Sequence, residues 1–463
     1  MLAGSYAVAL NTTVAAMALP AIGEDLDPAS GGLGLDWVIT SFLVGMILVL
    51  PGTAWMTDRW GRVTIYVGSL IVFGTGSAVC AAAPDMYLLV AGRFLQGLGA
   101  GALFPVGMTI VNELFPPERR ATALGIWGMG LAGAPATGPP LGGWLVTAFG
   151  WRWLFVVFVV VAAVAAALAA ALLHDSGFRD PRRLDLAGWS LAAVGFVTVI
   201  VIAREAPTWG ATSPSTLGAV VIAVSTLVAL VRRSLRVPQP IIEFRIFLNQ
   251  TFSITMCVTG LLSIAYLTRV NYLPIELQLV RDMDAQSVGL LLAPSAVGLA
   301  VAMTIGGALT DRVGARAPAT AGLVMYASSM WQLSHLTPQH SEQFIVGVLI
   351  IGDVGTGLAF VATIVVAMNC LPGRHLAQAS VMNILARQFS GAIGVAVLGA
   401  VLVNHLGAVV PTSTTAATQD AYNRIFAIVF WILVTAAAAA LFLPGRSRTG
   451  ADRMRASEAS DHE

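Results

Sequence analysis

Asp58-Arg59-Trp60-Gly61-Arg62 and Asp311-Arg312-Val313-Gly314-Ala315-Arg316 begin 253 residues apart and read alike. Each follows a long apolar run, 37–56 and 288–309, and each precedes another. Both are short and charged, and both hold a glycine, the residue that admits a positive φ without steric cost. A tight charged turn at the corresponding place in two halves of an otherwise apolar chain is the pattern of a duplicated membrane carrier.

Composition points the same way. The 463 residues are 57% hydrophobic and 11% charged, with a mean hydropathy of +0.81, whereas an ordinary soluble domain is about 25% charged. No lysine is present, so every basic residue is an arginine. That excludes a Walker A loop, which needs Gly-Lys-Ser/Thr, and a Schiff-base lysine. Uphill work must then draw on an ion gradient or a partner. No nucleophile–base set is evident, so an enzyme is not expected. Cys80, Cys257 and Cys370 lack CxxC spacing and the six histidines form no HExxH pair, so neither a metal nor another cofactor is expected. A net charge of +1 gives no sign of a nucleic-acid partner.

Fourteen apolar runs can be counted: 2–22, 36–56, 64–83, 87–112, 122–147, 154–173, 186–203, 216–231, 251–275, 286–309, 317–335, 343–369, 378–404 and 422–444. Crossing the hydrocarbon core takes about 20 apolar residues. The first run has no basic segment before it and no cleavage site, and reads as a span rather than a signal peptide. Orientation follows from arginine placement. Alternate loops and the C-terminal tail hold eighteen arginines: Arg59, Arg62, Arg119, Arg120, Arg179, Arg182, Arg183, Arg232, Arg233, Arg236, Arg245, Arg312, Arg316, Arg374, Arg446, Arg448, Arg453 and Arg455. The opposite loops hold only Arg152 and Arg281, with Arg204 and Arg424 at helix ends. The Arg-rich side is expected to be cytoplasmic, with both termini there, as an even number of spans requires. The expectation is an all-α integral membrane protein with four parts. They are an N-terminal six-helix bundle over 1–173, an inserted helix pair with cytoplasmic linkers over 174–249, a C-terminal six-helix bundle over 250–444, and a disordered cytoplasmic tail over 445–463.

Several residues stand out within this frame. Asp58, Arg59, Gly61 and Arg62 in one turn, and Asp311, Arg312 and Gly314 in the other, form a candidate cytoplasmic gate. Either aspartate can meet an arginine or a helix N-terminus when the inner side closes, and partly exposed pairs break at little cost. Arg93 lies inside the fourth run and should face a polar cavity or partner, since an arginine at mid-membrane costs about 2.5–3.5 kcal/mol on insertion scales. The fifth run holds Gly125, Gly128, Gly130, Gly133, Pro135, Gly138, Pro139, Pro140, Gly142 and Gly143. Small residues let backbones approach and prolines kink a helix, so this run reads as close packing and as a pliable joint between the halves. Asp353 is the one carboxylate deep in any run, and could bind and release a proton or sit in a fixed pair with Arg269 or Arg387. Arg269 and Glu276 are seven residues apart, two helical turns, and share a face. They could pair with each other, or Glu276 could accept a proton or cation near the outer end.

Asp58-Arg-Trp-Gly-Arg62, Arg93-x-x-Gln96-Gly97, Gly138-Pro139-Pro140-Leu141-Gly142-Gly143 and Trp151-Arg152-Trp153-Leu154-Phe155 resemble the signature motifs of the major facilitator superfamily. Ala18-Leu19-Pro20, the inserted pair and Asn383-x-x-x-Arg387-Gln388-x-x-Gly391 resemble its fourteen-helix drug:proton antiporter branch. The resemblance covers essentially the whole chain. It implies two six-helix bundles plus an inserted pair, rocking between inward- and outward-open states in a bacterial cytoplasmic membrane. It also implies proton-driven export of small amphipathic compounds, drugs and antibiotics among them, and a carrier that works as a monomer. Asn11, Gln96, Arg269, Asn383 and Arg387 become candidates for the substrate cavity, and Asp353, Glu276 and Arg93 for proton coupling.

The departures from that pattern matter as much. Leu10-Asn11-Thr12-Thr13 stands where the branch carries Leu-Asp-x-Thr, so the first-span carboxylate is absent. Ala54 replaces the glycine expected four residues before Asp58, and Glu276 stands where an aromatic is common. Without the first-span carboxylate, and with Arg93, Arg269 and Arg387 in the membrane, neutral or anionic substrates gain ground. So do a dedicated exporter of one metabolite and an uncoupled facilitator.

Overall fold

In a computed structural model, residues 2–26, 35–116, 119–174, 184–210, 213–283, 285–337, 339–371, 375–407 and 415–445 are described. The expected disordered tail falls, but for its first residue, outside them. The described residues form fifteen α-helices. In the first half these are α1 (Leu2–Leu26), α2 (Leu35–Val49), α3 (Thr53–Trp60), α4 (Arg62–Ala81), α5 (Met86–Leu114), α6 (Arg120–Phe149) and α7 (Arg152–Leu172). Then come α8 (Leu186–Trp209) and α9 (Pro214–Arg236). The last six are α10 (Gln250–Arg281), α11 (Ala285–Val313), α12 (Arg316–Leu333), α13 (Glu342–Asn369), α14 (Leu376–Gly407) and α15 (Thr415–Ala440).

Among the described residues, ten helical stretches are long and apolar enough to cross a bilayer. The stretch Trp37–Trp60 comprises α2, a single 3-10 turn at Leu50–Gly52, and α3. Pro51 explains the change of pitch, because it has no N–H to give the preceding turn. The second apolar run does not end at residue 56, as hydropathy alone indicated. Its helix continues through Asp58 and Arg59 to Trp60. Asp311 and Arg312 likewise lie in the last turn of α11 rather than in a loop. The turn proper is the glycine. Gly61 has φ +91° and Gly314 φ +84°, and each donates its N–H back to the carbonyl of the threonine before the aspartate, Thr57 and Thr310, at 3.0 Å. The repeated motif is therefore a repeated backbone turn.

Packing follows the two halves. In the first, α4 lies against α5 and α7, α2 against α5, and α1 against α6. In the second, α13 lies against α11 and α12, α10 against α14, and α15 against both α10 and α12. One buried apolar cluster runs from Ala7 to Ala169, and another gathers most of the second half. The halves meet where α6 packs on α11 and α5 on α14. Glycine makes the first of these contacts close. A Cβ at Gly125 would strike the Met303 carbonyl, and one at Gly307 the Ala121 carbonyl. Helix α6 runs unbroken from Arg120 to Phe149 through its proline positions.

The inserted pair is not peripheral to this arrangement. Helix α8 packs on α9, on α2 and on α14. Trp189 donates its indole N–H to the Leu48 carbonyl at 2.7 Å, beside the Pro51 break, and its ring fills the space a Cβ on Gly52 would need. Two turns on, Phe196 lies 4.4 Å from the ring of Phe389 on α14.

Candidate functional site: buried charges and the seam between the halves

Inside the first half, one arginine gathers four helices. Arg93 on α5 is 1% exposed. Its Nε donates to the Val38 carbonyl on α2 at 2.8 Å, and its Nη1 to Asn11 Oδ1 on α1 and to Gln96 Oε1, each at 2.5 Å. Gln96 passes the chain on to Ser77 on α4 at 2.7 Å. The guanidinium carbon sits 4.6 Å above the Phe42 ring and 6.0 Å from that of Phe155 on α7. The sequence candidates Asn11, Arg93 and Gln96 are thus brought together, and every group that meets the cation is neutral. A neutral oxygen or a ring face compensates a buried guanidinium less than a carboxylate does.

The second half holds the opposite arrangement. Asp353, 2% exposed on α13, is ion-paired with Arg269 on α10. The Arg269 guanidinium lies 5.9 Å from the rings of both Tyr266 and Tyr326. Of the partners open at the sequence level, Arg269 is the one Asp353 takes. Arg387 instead stacks over Phe360 at 4.3 Å. The alternative of an Arg269–Glu276 pair is not what the structure holds, because Arg269 faces Asp353 while Glu276 accepts a hydrogen bond from Gln419 at 2.5 Å. Asn383, on the α14 face that also carries Arg387, is fully buried.

At the Arg-rich end the halves are joined. Asp311 Oδ1 accepts from the Ala121 N–H at 3.0 Å, and Oδ2 from the Thr122 N–H at 2.8 Å and its hydroxyl at 2.7 Å. A carboxylate is poorly placed in the last turn of its own helix and well placed at the first turn of another. Asp311 occupies both positions, ending α11 and capping α6. Asp58 is buried in a crevice lined by Trp55, Asp185, Gln239, Ile241 and Gln378, the last of these in the first turn of α14. Arg62 is ion-paired with Glu113 at the end of α5, whereas Arg59 and Arg312 are exposed. One turn deeper, Thr109 on α5 and Ser380 on α14 share a 2.8 Å hydrogen bond across the seam.

The small-residue run of α6 packs on its own half as well. Gly138 and Gly142 are buried, and a Cβ on Gly142 would meet Val14 of α1. Pro139 and Gly143 lie in the same helix, their side-chain surroundings outside the described residues. Two participants were not singled out from sequence. Asp25, at the far end of α1, accepts from Arg152 at 2.5 Å and from Trp151 at 3.1 Å. Gln419 partners Glu276. Among the described residues no group of three or more His, Cys, Asp or Glu is arranged to hold a metal.

A multi-pass helical protein with charges buried at mid-height and a glycine-lined seam between two halves is a membrane carrier. The comparisons agree. The chain belongs to the Major Facilitator Superfamily, whose sequence model it matches over residues 1–394 and 252–459. It is 30% identical over 425 residues to the multidrug resistance protein Stp of Mycobacterium tuberculosis, covering 91% of this chain and 78% of that one. It is 29% identical over 428 residues to the MFS-type transporter YcnB of Bacillus subtilis, covering 92% and 90%. In fold it is similar to the human organic anion transporter MFSD10, with a TM-score of 0.65, 14% identity, and coverage of 93% and 97%. It is a transporter and not an enzyme, and carriers of this family sit in a lipid membrane and bind small-molecule substrates.

Proposed function

We propose that the chain exports small amphipathic organic compounds, drugs and antibiotics among them, across a bacterial cytoplasmic membrane in exchange for protons. In this reading the Arg-rich face is cytoplasmic, and α1, α6, α8 and α12 complete fourteen spans. Two six-helix bundles over 1–173 and 250–444 alternate access as a monomer. Asp58 and Asp311 with their turns form the inner gate, and Asn383 and Arg387 face the cavity. The multidrug resistance relatives support the substrate class.

The observation that carries the reading is the buried Asp353–Arg269 pair. In the membrane interior such a pair persists only while both partners are charged. A proton on Asp353 removes the attraction and frees Arg269 on α10 from α13. Loss of that proton restores it. Proton binding and helix rearrangement become one event, as coupling requires. One proton moving down about 100 mV supplies about 2.3 kcal/mol, which holds roughly a 50-fold gradient of a neutral substrate.

Ethidium efflux from preloaded cells tests this, with and without a protonophore and with Asp353→Asn, which keeps an acceptor for Arg269. Efflux lost in both cases is the expected result. Efflux that persists in Asp353→Asn overturns Asp353 as the carrier of the proton.

A second reading rests on the neutral shell of Arg93 and the ring-stacked Arg387. Among the described residues neither forms an ion pair, which favours neutral or anionic cargo and a dedicated exporter of one metabolite. Protein shown to be in the membrane that moves no ethidium, but does move an anionic dye, would select it. Transport indifferent to the protonophore would make the protein an uncoupled facilitator.

A further inference from the structure

The cycle built on Asp353 leaves a second buried carboxylate unused. Glu276 stands near the end of α10, toward the outer face, and is 1% exposed. Its Oε1 accepts from Nε2 of Gln419 on α15, itself 4% exposed. The same Nε2 donates to Asn423 Oδ1 at 3.0 Å, and Asn423 Nδ2 donates to the Leu336 carbonyl just past α12, also at 3.0 Å. Three side chains thereby tie together α10, α15 and the end of α12.

The hydrogen bonds of this cluster do not balance. Glu276 Oε2 and Gln419 Oε1 are both buried, and neither has a partner. The amide oxygen can only accept, and so can the carboxylate oxygen while Glu276 is ionised; a buried polar group left unpaired costs about 1–3 kcal/mol. Among the described residues no cation is ion-paired or hydrogen-bonded to Glu276, and Arg281 acts on it only through its field. Arg281, the next arginine along α10, gives Nη1 to the His340 carbonyl and Nη2 to that of Thr337, both at 2.7 Å. Arg269 is held by Asp353. On the remaining sides stand Tyr272, whose hydroxyl donates to the Val395 carbonyl at 2.7 Å, and Tyr422 on α15.

One proton resolves every discrepancy. A carboxylic acid beside a primary amide closes a ring of two hydrogen bonds, amide N–H to acid oxygen and acid O–H to amide oxygen. The first of those bonds is present, and the two orphaned oxygens are the pair the second would join. We propose that Glu276 and Gln419 form a proton-binding site at the outer end of the second half, occupied in this inner-closed conformation. The proton comes from outside water, bonds to Glu276 Oε2 and is held by Gln419 Oε1. Its release leaves two facing acceptors and a buried anion, which loosens α10 from α15. The site deepens the proton-driven reading above, yet its occupancy is measurable without transport.

The test is modification of the full-length purified protein by a hydrophobic carbodiimide, which attacks protonated, buried carboxyls, with Glu276 followed by mass spectrometry. Glu276 is expected to be modified at neutral pH, and the yield to fall about tenfold per pH unit above its titration point. No modification at neutral pH overturns the proposal. So does loss of modification on adding sodium at fixed pH, which would put a metal ion in place of the proton. As a second arm, Glu276→Gln supplies an N–H where the acid had its O–H. It should match the wild type in yield and thermal stability, where Glu276→Leu should not, while removing one limb of the transport pH profile. An unchanged pH profile in Glu276→Gln would leave Glu276 a structural residue only. Failure of Asp353→Asn to alter efflux would remove the earlier reading and leave the Glu276 modification untouched.

Discussion

Asn11 decides how Arg93 is neutralised. The amide oxygen accepts one hydrogen bond from the guanidinium and contributes no charge, so the first half keeps a buried cation. Asn11→Asp would install a carboxylate at the same 2.5 Å contact and turn the cluster into an ion pair. The expected outcome is a rise of about tenfold in the ratio of cationic to anionic dye efflux, equivalent to about 1.4 kcal/mol. An unchanged ratio would mean that Arg93 never senses cargo. At this scale sequence takes the argument only part of the way. Asp353 was legible because a carboxylate deep in an apolar run demands an explanation, whereas its choice of Arg269 over Arg387 was not. That choice depends on how α10 and α14 face α13, and helical periodicity within one element carries no such information. Gln419 escaped notice for a simpler reason. With Asp420 and Asn423 nearby, hydropathy placed the start of the last run at 422, although the helix begins at Thr415.

Helices overrun their apolar stretches in several places, because backbone hydrogen bonds continue a helix whatever its side chains prefer. The repeated Asp-Arg pairs lie in such overruns, and there they acquire a partner. Asp311 accepts three hydrogen bonds from the first turn of α6, and loss of a helix cap costs about 0.5–2 kcal/mol. Asp311→Ala should therefore shift the balance from inner-closed to inner-open by about 5–30-fold at the upper end of that range. Asp311→Asn, which keeps one acceptor, should shift it less. Thiol labelling from the cytoplasmic side at Ser380→Cys, in a protein without other cysteines, reads this directly. Equal labelling rates with and without Asp311 would rule out the cap as a latch. Helix α8 offers a second test. Trp189→Ala removes the indole from the Leu48 carbonyl and leaves a hole beside Gly52. Lower thermal stability with the inserted pair still in the membrane is expected, by less than the about 3–5 kcal/mol of a fully buried aromatic, since Trp189 is half-buried. The inserted pair was visible in the count of apolar runs. Its docking across both halves was not, since nothing in an apolar run sets Trp189 and Phe196 apart from its other residues.

For the molecule as a whole, the duplication was readable because the same glycine turn serves both halves. The closeness of α6 to α11 was foreshadowed by the small residues of the fifth run, although Gly307 across the seam was not singled out. A side chain there cannot be accommodated without moving the Ala121 backbone. Gly307→Val should therefore hold the inner side open. Ser380→Cys labelling should then be fast, substrate binding kept and turnover lost. Normal turnover in Gly307→Val would show that the seam need not close so tightly.

The two flanks of the molecule are not equivalent. One seam between the halves is roofed by α8, which touches both α2 and α14. The other, between α6 and α11, has Ile126, Val301, Ile305 and Leu309 exposed alongside it. In the reading proposed above, opening the inner side would part the second seam directly to the lipid tails, while α8 would keep the first covered. Cargo that partitions into the bilayer would then board from one side only. For such compounds the rate of loading would follow their concentration in the leaflet rather than in the cytosol.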